Sequence, residues 1–335
     1  MDGGARASAI PVYNKFVELA KAMRPEYISM IMPSRWFSGG RGLDNFRANM
    51  LTDKRMALLY DFIDAHTVFS DVEIKGGICF FLWNSKWNKK CTINTYTPDL
   101  EKPILEKRYL QEVGDSIFIR DPRLLRIKES VTKNRLKYGE PTFDTIVSSM
   151  RPYGLRGDFF KNPSKYKLPN VENKQVTNGI TILGLNENLR RTKKYVPLNY
   201  PLPIRTGIET YKIFIPRNWG TGKLQDCYYK TYLAEPNEVC TETFIQVYPF
   251  ENKEERDNCN KYMQTKFFRI IISIKKQDQS AGKDVYSFVP LPDFTIKSEI
   301  KWSLPIADLD IILYKRYGIL PDEIQFIEKN IKGME

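Results

Sequence analysis

A chain of 335 residues, 42% hydrophobic and 13% aromatic, is long enough for two domains and too apolar to be disordered. Its net charge of +12 is uneven: residues 1–99 carry 13 basic and 10 acidic side chains, residues 100–220 carry 23 and 12, and residues 221–335 carry 16 and 18. A basic middle third between near-neutral flanks points to a polyanion, with a solvated lysine-rich face as the plainer alternative. The longest apolar runs, Tyr27–Met32 and Ile78–Trp83, fall far short of the roughly 20 residues of a membrane helix, so no membrane role is expected. The opening MDGGARASAIP has no apolar signal core, which speaks for a cytoplasmic chain. Cys79, Cys91, Cys227, Cys240 and Cys259 are widely spaced, form no CxxC pair and stand beside a single histidine, His66. That pattern suits reduced thiols and argues against a zinc site or any other metal centre.

Pro11 opens a helical pattern in which Tyr13, Phe16, Val17, Ala20 and Met23 share one face, and Pro25 closes it. Tyr27–Met32 reads as a buried strand stopped by Pro33, and Ser34–Gly42 as a glycine-rich loop. Leu43, Phe46, Met50 and Leu51 stripe a second helix. Ala57–Ile63 and Gly77–Trp83 read as strands, with Thr92–Tyr96 as one more. Helix–strand alternation of this kind predicts an α/β sheet with helices on its faces, and an apolar run such as Ile78–Trp83 suits a strand covered on both sides. The link through Glu73–Gly77 leaves no room for a crossover helix, so Ala57–Ile63 and Gly77–Trp83 should pair antiparallel.

Residues 98–140 form a charged, helix-compatible connector. Residues 141–298 are different in texture, with short β-rich runs at Thr181–Leu185, Tyr211–Ile215, Thr243–Val247 and Phe268–Ile274 and a helical stretch at Glu255–Phe267. This predicts a mixed α+β domain. Residues 299–335 end in an amphipathic helix over 321–332, where Ile324, Ile327 and Ile331 share a face.

Three consecutive pieces carry a family likeness: SAIPVYNKFVELAKAM (8–23), YISMIMPSRWFSGGRGLDNFRANML (27–51) and VEIKGGICFFLWN (72–84). Together they resemble the segment that follows the catalytic motif in adenine-specific DNA methyltransferases of restriction-modification systems, in particular the large type II-like enzymes. SSMRPYGLRGDF (148–159), CTETFIQV (240–247), YSFVPLPDFT (286–295) and ILYKRYGILPDEIQFIEKNI (312–331) are similar as well. The resemblance implies that residues 1–97 form the C-terminal half of a Rossmann-like methyltransferase sheet and that 141–298 form a target-recognition domain.

In that family an Asn-Pro-Pro-Tyr motif holds the flipped adenine, and S-adenosylmethionine lies against a glycine-rich turn after the first strand. This sequence contains no Pro-Pro dipeptide and no strand–FxGxG–helix, so no catalytic or cofactor residue carries over. The expectation is a chain that binds no S-adenosylmethionine and is inactive alone. It would work on double-stranded DNA with a second polypeptide that carries the N-terminal methyltransferase half. The competing reading is a stand-alone DNA-binding specificity subunit without enzymatic activity.

What carries over is a rim. Ser34–Gly42 leaves the carboxyl end of a strand, where open α/β sheets place their ligands. Arg35, Arg41 and Lys75 are candidates for phosphates, and Trp36 or Phe37 for the wall of a base pocket. The plainer alternatives are solvated cations and rings packed on the strand end. In the second domain Arg151, Tyr153, Arg156, Arg217, Trp219 and Lys223 combine basic heads with aromatic faces, the mixture that DNA recognition uses. GTGK (220–223) is no phosphate loop, since Arg217 stands where the first glycine would be and Leu224 replaces Ser/Thr. Pro292-Asp293 with Glu299 and Lys301 echoes a nuclease pattern without a second acidic cluster to support a metal, and His66 has no evident partner nucleophile.

Overall fold

Prolines and glycines punctuate the first third of the chain, and most of its elements begin or end at them. The computed structural model describes residues 2–3, 10–38, 42–71, 74, 76–111, 116–276 and 279–334. It divides into two compact units, Met1–Arg126 and Ile127–Glu335. Among the described residues no helix is long and apolar enough to cross a membrane.

In the first unit β1 (Asp2–Gly3) and β2 (Ile10–Pro11) form a short antiparallel pair. They are followed by α1 (Tyr13–Ala22), β3 (Tyr27–Pro33), α2 (Asp44–Thr52), β4 (Met56–Phe62), β5 (Ile78–Asn84), β6 (Cys91–Tyr96) and β7 (Ile104–Arg108). Strands β3 to β7 make one mixed sheet in the order β3-β5-β4-β6-β7. β5 lies antiparallel between β3 and β4, which agrees with the expected pairing of the fourth and fifth strands. β6 runs parallel to β4, and β7 antiparallel to β6. β3, β4 and β6 thus end at one rim, at Pro33, Phe62 and Tyr96.

One sheet face carries the core, where Val17, Phe46, Met50 and Leu51 pack with Ile28, Met32, Leu59, Cys79, Phe81 and Trp83. On the other face Leu58, Tyr60, Phe62, Phe80, Leu82 and Tyr96 are half-buried, with Tyr60 stacked on Phe80 and Phe62 on Tyr96. β5 is therefore a central strand fully covered on one side, not on both. The stripe foreseen on α2 is buried throughout. That on α1 is half used: Val17 is buried, while Phe16 and Met23 are 55% and 76% exposed. The cause is position, because α1 rests on β3 at the edge of the sheet. Within the connector, which reads as helix-compatible, Ile104–Arg108 is instead the edge strand β7. Its alternation of half-buried and exposed residues is hidden in sequence by the lysines and glutamates that an edge strand favours.

Two carboxylates stitch this unit together. Asp53 accepts from Lys21 Nζ at 2.8 Å, Trp83 Nε1 at 2.9 Å and Arg55 Nε at 2.7 Å, joining α1, the end of α2 and β5. Asp99 accepts twice from Arg123, at 2.7 and 3.1 Å.

The second unit contains β8 (Ile180–Leu185), β9 (Arg191–Val196), β10 (Tyr211–Pro216), β11 (Tyr232–Ala234), β12 (Glu238–Cys240) and β13 (Phe244–Phe250). Helix α3 (Pro122–Lys137) leads into it, and α4 (Lys253–Gln264), α5 (Lys266–Lys275), α6 (Ile306–Tyr317) and α7 (Pro321–Asn330) complete it. One three-stranded sheet, β11-β10-β13, is antiparallel, and the other, β12-β8-β9, is mixed. The whole is a mixed α/β fold. Lys212 in β10 is fully buried and donates to the carbonyls of Ile208, Glu235 and Glu238 at 3.0–3.3 Å, which fastens β10 to the turn entering β12. Burial pulls its pKa down to about 8.

The run Phe268–Ile274, β-rich in sequence, is the helix α5. A helix apolar all round is a buried one, and Phe267, Phe268, Ile270, Ile271, Ile272 and Ile274 are all buried. Tertiary context overrides the β-branched preference here, and the helix start is defined by polar groups. Thr265 accepts from the Phe268 amide, and Asp310 from the amides of Lys266 and Phe267.

The first unit should be acid-sensitive. The Arg123 contacts hold Asp99 down to about 2 against its partial burial. Burial opposes ionisation of Asp53 as well, but Arg55, Lys21 and Trp83 outweigh it and keep its pKa far below the usual carboxylate range. A depressed folded-state pKa gives stability that is present above about pH 4 and lost as pH falls through the folded value. For Asp99, discounted for partial exposure, this is worth about 1–2 kcal/mol. Thermal unfolding between about pH 5 and 2 should show the loss, and Asp99→Asn should reduce its steepness; an unchanged profile in the variant would contradict the assignment.

Candidate functional site

The rim where β3, β4 and β6 end is organised around one buried carboxylate. Alternation along β4 turns Asp61 inward, where it is fully buried. Arg120 reaches it with two parallel bonds, Nε to Oδ2 and Nη2 to Oδ1, both at 2.7 Å. Ser34 Oγ donates to Oδ1 at 3.0 Å. The same guanidinium donates to the carbonyls of Gly76 at 2.6 Å and Phe62 at 3.2 Å. The Ser34 amide bonds the carbonyl of Gly77 at 3.0 Å, so the turn after β3 and the approach to β5 are held side by side. Gly77 has φ +77°, and a Cβ there would lie 2.1 Å from the Phe62 carbonyl oxygen and 2.8 Å from Arg120 Nη2. No other residue fits so close an approach.

Of the rim residues singled out in sequence, Arg35 sits half-buried in the short 3-10 turn Ser34–Phe37. Arg41 and Lys75 lie outside the described residues. Trp36 and Phe37 are core, both 0% exposed. The Trp36 indole N–H points to Cys79 Sγ at 3.5 Å, and its ring packs on Phe37 and Phe46. A ring enclosed in this way does not wall a base pocket. His66 is exposed, its Nδ1 2.9 Å from Asp64 Oδ1. All five cysteines are buried and form no disulfide, and burial pushes the Cys79 thiol up to about 12.

In the second unit, Arg151 adopts φ +62° and its Nε meets Glu242 Oε2 at 2.5 Å, while the Gly157 amide donates to Oε1 at 3.0 Å. Burial resists ionisation of Glu242, yet the Gly157 amide, Arg151 and the nearby charge of Arg156 hold its pKa below the usual range. Arg156 itself is exposed. The Arg217 amide bonds the Thr243 carbonyl at 2.9 Å, so three of the candidate arginines belong to segments meeting at the turn between β12 and β13. The aromatic candidates again go inward. Tyr153 is fully buried with its hydroxyl on Gln246 Oε1 at 2.6 Å, and Trp219 packs on Tyr229 under the Lys276 ammonium. Lys223 is exposed beside a turn closed by Thr221 and Asp226. Asp293 is spent on Thr295 at 2.8 and 3.0 Å, and Glu299 pairs with Arg316 at 2.9 Å, so the nuclease-like pattern does not assemble. Among the described residues no cluster of three His, Cys, Asp or Glu side chains could hold a metal.

Asp61 and Arg120 escaped the reading of the sequence. Their signal is faint: a lone aspartate inside the apolar run MALLYDF, and an arginine closing SIFIR.

Comparison with known proteins gives a family match over residues 2–69, to the Eco57I restriction-modification methylase. An uncharacterized adenine-specific methylase of Mycoplasma pneumoniae (strain ATCC 29342 / M129 / Subtype 1) is 33% identical over 93 residues, 28% of this chain and 21% of that protein. The chain thus spans about a fifth of the curated relative it matches. Two solved structures are similar at low identity. One is the type IIG restriction endonuclease BpuSI, at 12% identity and a TM-score of 0.39 over 96% of this chain and 48% of that one. The other is the type IIL restriction-modification enzyme MmeI in complex with DNA, at 11% and 0.49 over 98% and 53%. The amino-terminal part of this chain is therefore similar to adenine-specific methylases of restriction-modification systems, as its quoted segments imply.

The Arg120–Asp61 pair gives a direct test of the rim. Arg120→Ala leaves a buried carboxylate unpaired, which costs about 3–5 kcal/mol. Denaturant unfolding should show that loss in the first unit, and the double variant Asp61→Asn, Arg120→Met should recover part of it. A loss below about 1 kcal/mol in Arg120→Ala would mean that water, not arginine, satisfies Asp61.

Proposed function

We propose that this chain is the DNA-binding and target-recognising part of a site-specific adenine DNA methyltransferase of a restriction-modification system. Methyl transfer from S-adenosylmethionine to the adenine exocyclic amine belongs to the complete enzyme. The observation that carries the reading is the methylase match over residues 2–69, joined in one chain to the basic stretch 100–220. In this reading residues 1–97 are the C-terminal half of a Rossmann-like sheet and residues 141–298 are the target-recognition domain.

In this reading the described rim holds no S-adenosylmethionine. Its buried carboxylate is spent on Arg120 and Ser34, and the backbone of Phe62 closes on Gly77. The cofactor and the catalytic motif are assigned instead to a second polypeptide carrying the N-terminal methyltransferase half. Support for such a partner is the apolar flank of the first unit, where Phe16, Leu19 and Met23 on α1 and Tyr27 and Ile31 on β3 are each more than half exposed. β3 is also an edge strand, with one side unpaired among the described residues. Exposed apolar side chains and an open strand edge are what a missing sheet neighbour would cover.

Duplex DNA titrated into the chain should bind with log K falling steeply with log salt, losing on the order of a hundredfold or more between about 50 and 200 mM. Affinity independent of salt would reduce the basic stretch to a solvated face and overturn the reading. In the same preparation S-adenosylmethionine should give no binding tighter than millimolar by calorimetry; a micromolar site would return the cofactor to this chain.

A further inference from the structure

The hairpin formed by β8 and β9 departs from the rest of the second unit in shape and charge. β12 pairs only with Thr181–Leu183 of β8, so beyond Leu183 the hairpin continues two strands wide. Its turn is rigid: Asn186 Oδ1 accepts from the amides of Asn188 and Arg190 at 3.0 and 2.9 Å, and the Asn186 amide donates to the Arg190 carbonyl at 2.8 Å. Leu189 stands at the tip in the left-handed region, φ +57°, and is 79% exposed. A leucine held at positive φ with its side chain in water gains nothing for the fold.

Charge follows directly behind the tip. Arg190, Arg191 and Lys193 are exposed and Lys194 is half-buried. The Arg191 guanidinium lies 5.3 Å over the Tyr232 ring and donates to its hydroxyl, and Lys230 approaches the same ring at 5.8 Å. Glu238 engages Lys193 at 2.8 Å, and Asn173 accepts from Lys194. The acid at the tip is Glu187, which is exposed. The outer side of β9 is bridged at Tyr195 by Glu172, and among the described residues no strand pairs with Arg191–Lys194 on that side. A stiff ribbon two strands wide, with an apolar tip and cations set back on both faces, complements one macromolecule closely. A two-stranded ribbon fits the roughly 12 Å major groove of duplex DNA and not the roughly 6 Å minor groove, with phosphates on either side.

We propose that the β8–β9 hairpin enters the major groove of duplex DNA, with Arg190, Arg191 and Lys194 on phosphates and Leu189 against base edges. The inference rests on the DNA-binding reading above and assigns its groove-reading element. An apolar side chain in the major groove finds the thymine methyl, so Leu189 contributes base preference, whereas the cations contribute affinity without sequence.

The test uses the full chain, with the fold of each variant checked by thermal unfolding. Arg190→Ala, Arg191→Ala, Lys194→Ala together should weaken duplex binding at least about tenfold and lower the salt slope by about 2–3, near 0.9 per phosphate contact removed. Glu187→Lys at the tip should tighten binding and steepen the slope. Leu189→Ala should leave the salt slope unchanged while narrowing the affinity range across a library of duplexes. If the unaltered chain binds duplex DNA and the triple variant binds it equally well, the hairpin proposal falls and the DNA-binding reading stands. Equal losses for duplex and single-stranded DNA would overturn the groove placement. Failure of the unaltered chain to bind duplex DNA at low salt would remove both.

Discussion

The bidentate bond between Arg120 and Asp61 is the constraint on which the first unit depends. A carboxylate with no solvent exposure is tolerated only if its lone pairs are filled, and here one arginine and one serine fill them. The arginine then spends its remaining donors on the carbonyls of Phe62 and Gly76. Four separate pieces of chain are drawn to one point: the end of β4, the turn after β3, the approach to β5 and the segment that returns from β7. The glycine at position 77 follows from that crowding, since no side chain fits between the Phe62 carbonyl and the guanidinium. Among the described residues the rim of the sheet is thereby a closed polar knot.

Strands β3, β4, β5 and β6 were legible as apolar or β-branched runs, and the antiparallel pairing of β4 with β5 followed from a link too short for a crossover, whereas β7 was hidden by its lysine and glutamate. The knot at their ends was not legible. Asp61 and Arg120 are 59 residues apart, and nothing local marks either as a partner of the other. The aromatics failed in a consistent way. Trp36, Tyr153 and Trp219 stand beside arginines in sequence and suggest stacking on bases, yet each is turned inward. Trp36 follows Arg35 within a 3-10 turn, and Tyr153 and Trp219 lie two residues from Arg151 and Arg217 outside the named strands, so closeness in sequence does not set which way a ring turns; the surrounding core does. The isoleucine-rich run before Lys275 misled for a different reason: a fully buried helix and a fully buried strand have the same composition, and only its caps, Thr265 and the distant Asp310, distinguish them.

The exposed flank of α1 and β3 is the counterpart of the knot. Phe16 and Met23 were foreseen as core from their helical spacing, and they are exposed because the helix sits over the last strand of the sheet. The open stripe of Phe16, Leu19 and Met23 is what the proposed sheet neighbour would cover. The second unit buries α5 in a core of its own, while Leu189, Ile296 and Ile311 are among its exposed apolar side chains and the β8–β9 hairpin carries its exposed cations. In the proposed reading the two units differ in what they meet: the first a sheet neighbour, the second a polyanion.

Hydrogen exchange on a demonstrably monomeric sample tests that division most directly. The alternate amides of β3 that do not face β5 should exchange orders of magnitude faster than those of β4, β5 and α5, with α1 close behind them and the second unit protected on its own. Slow exchange throughout β3 and α1 in the monomer would contradict the reading of the first unit as part of a larger methyltransferase sheet.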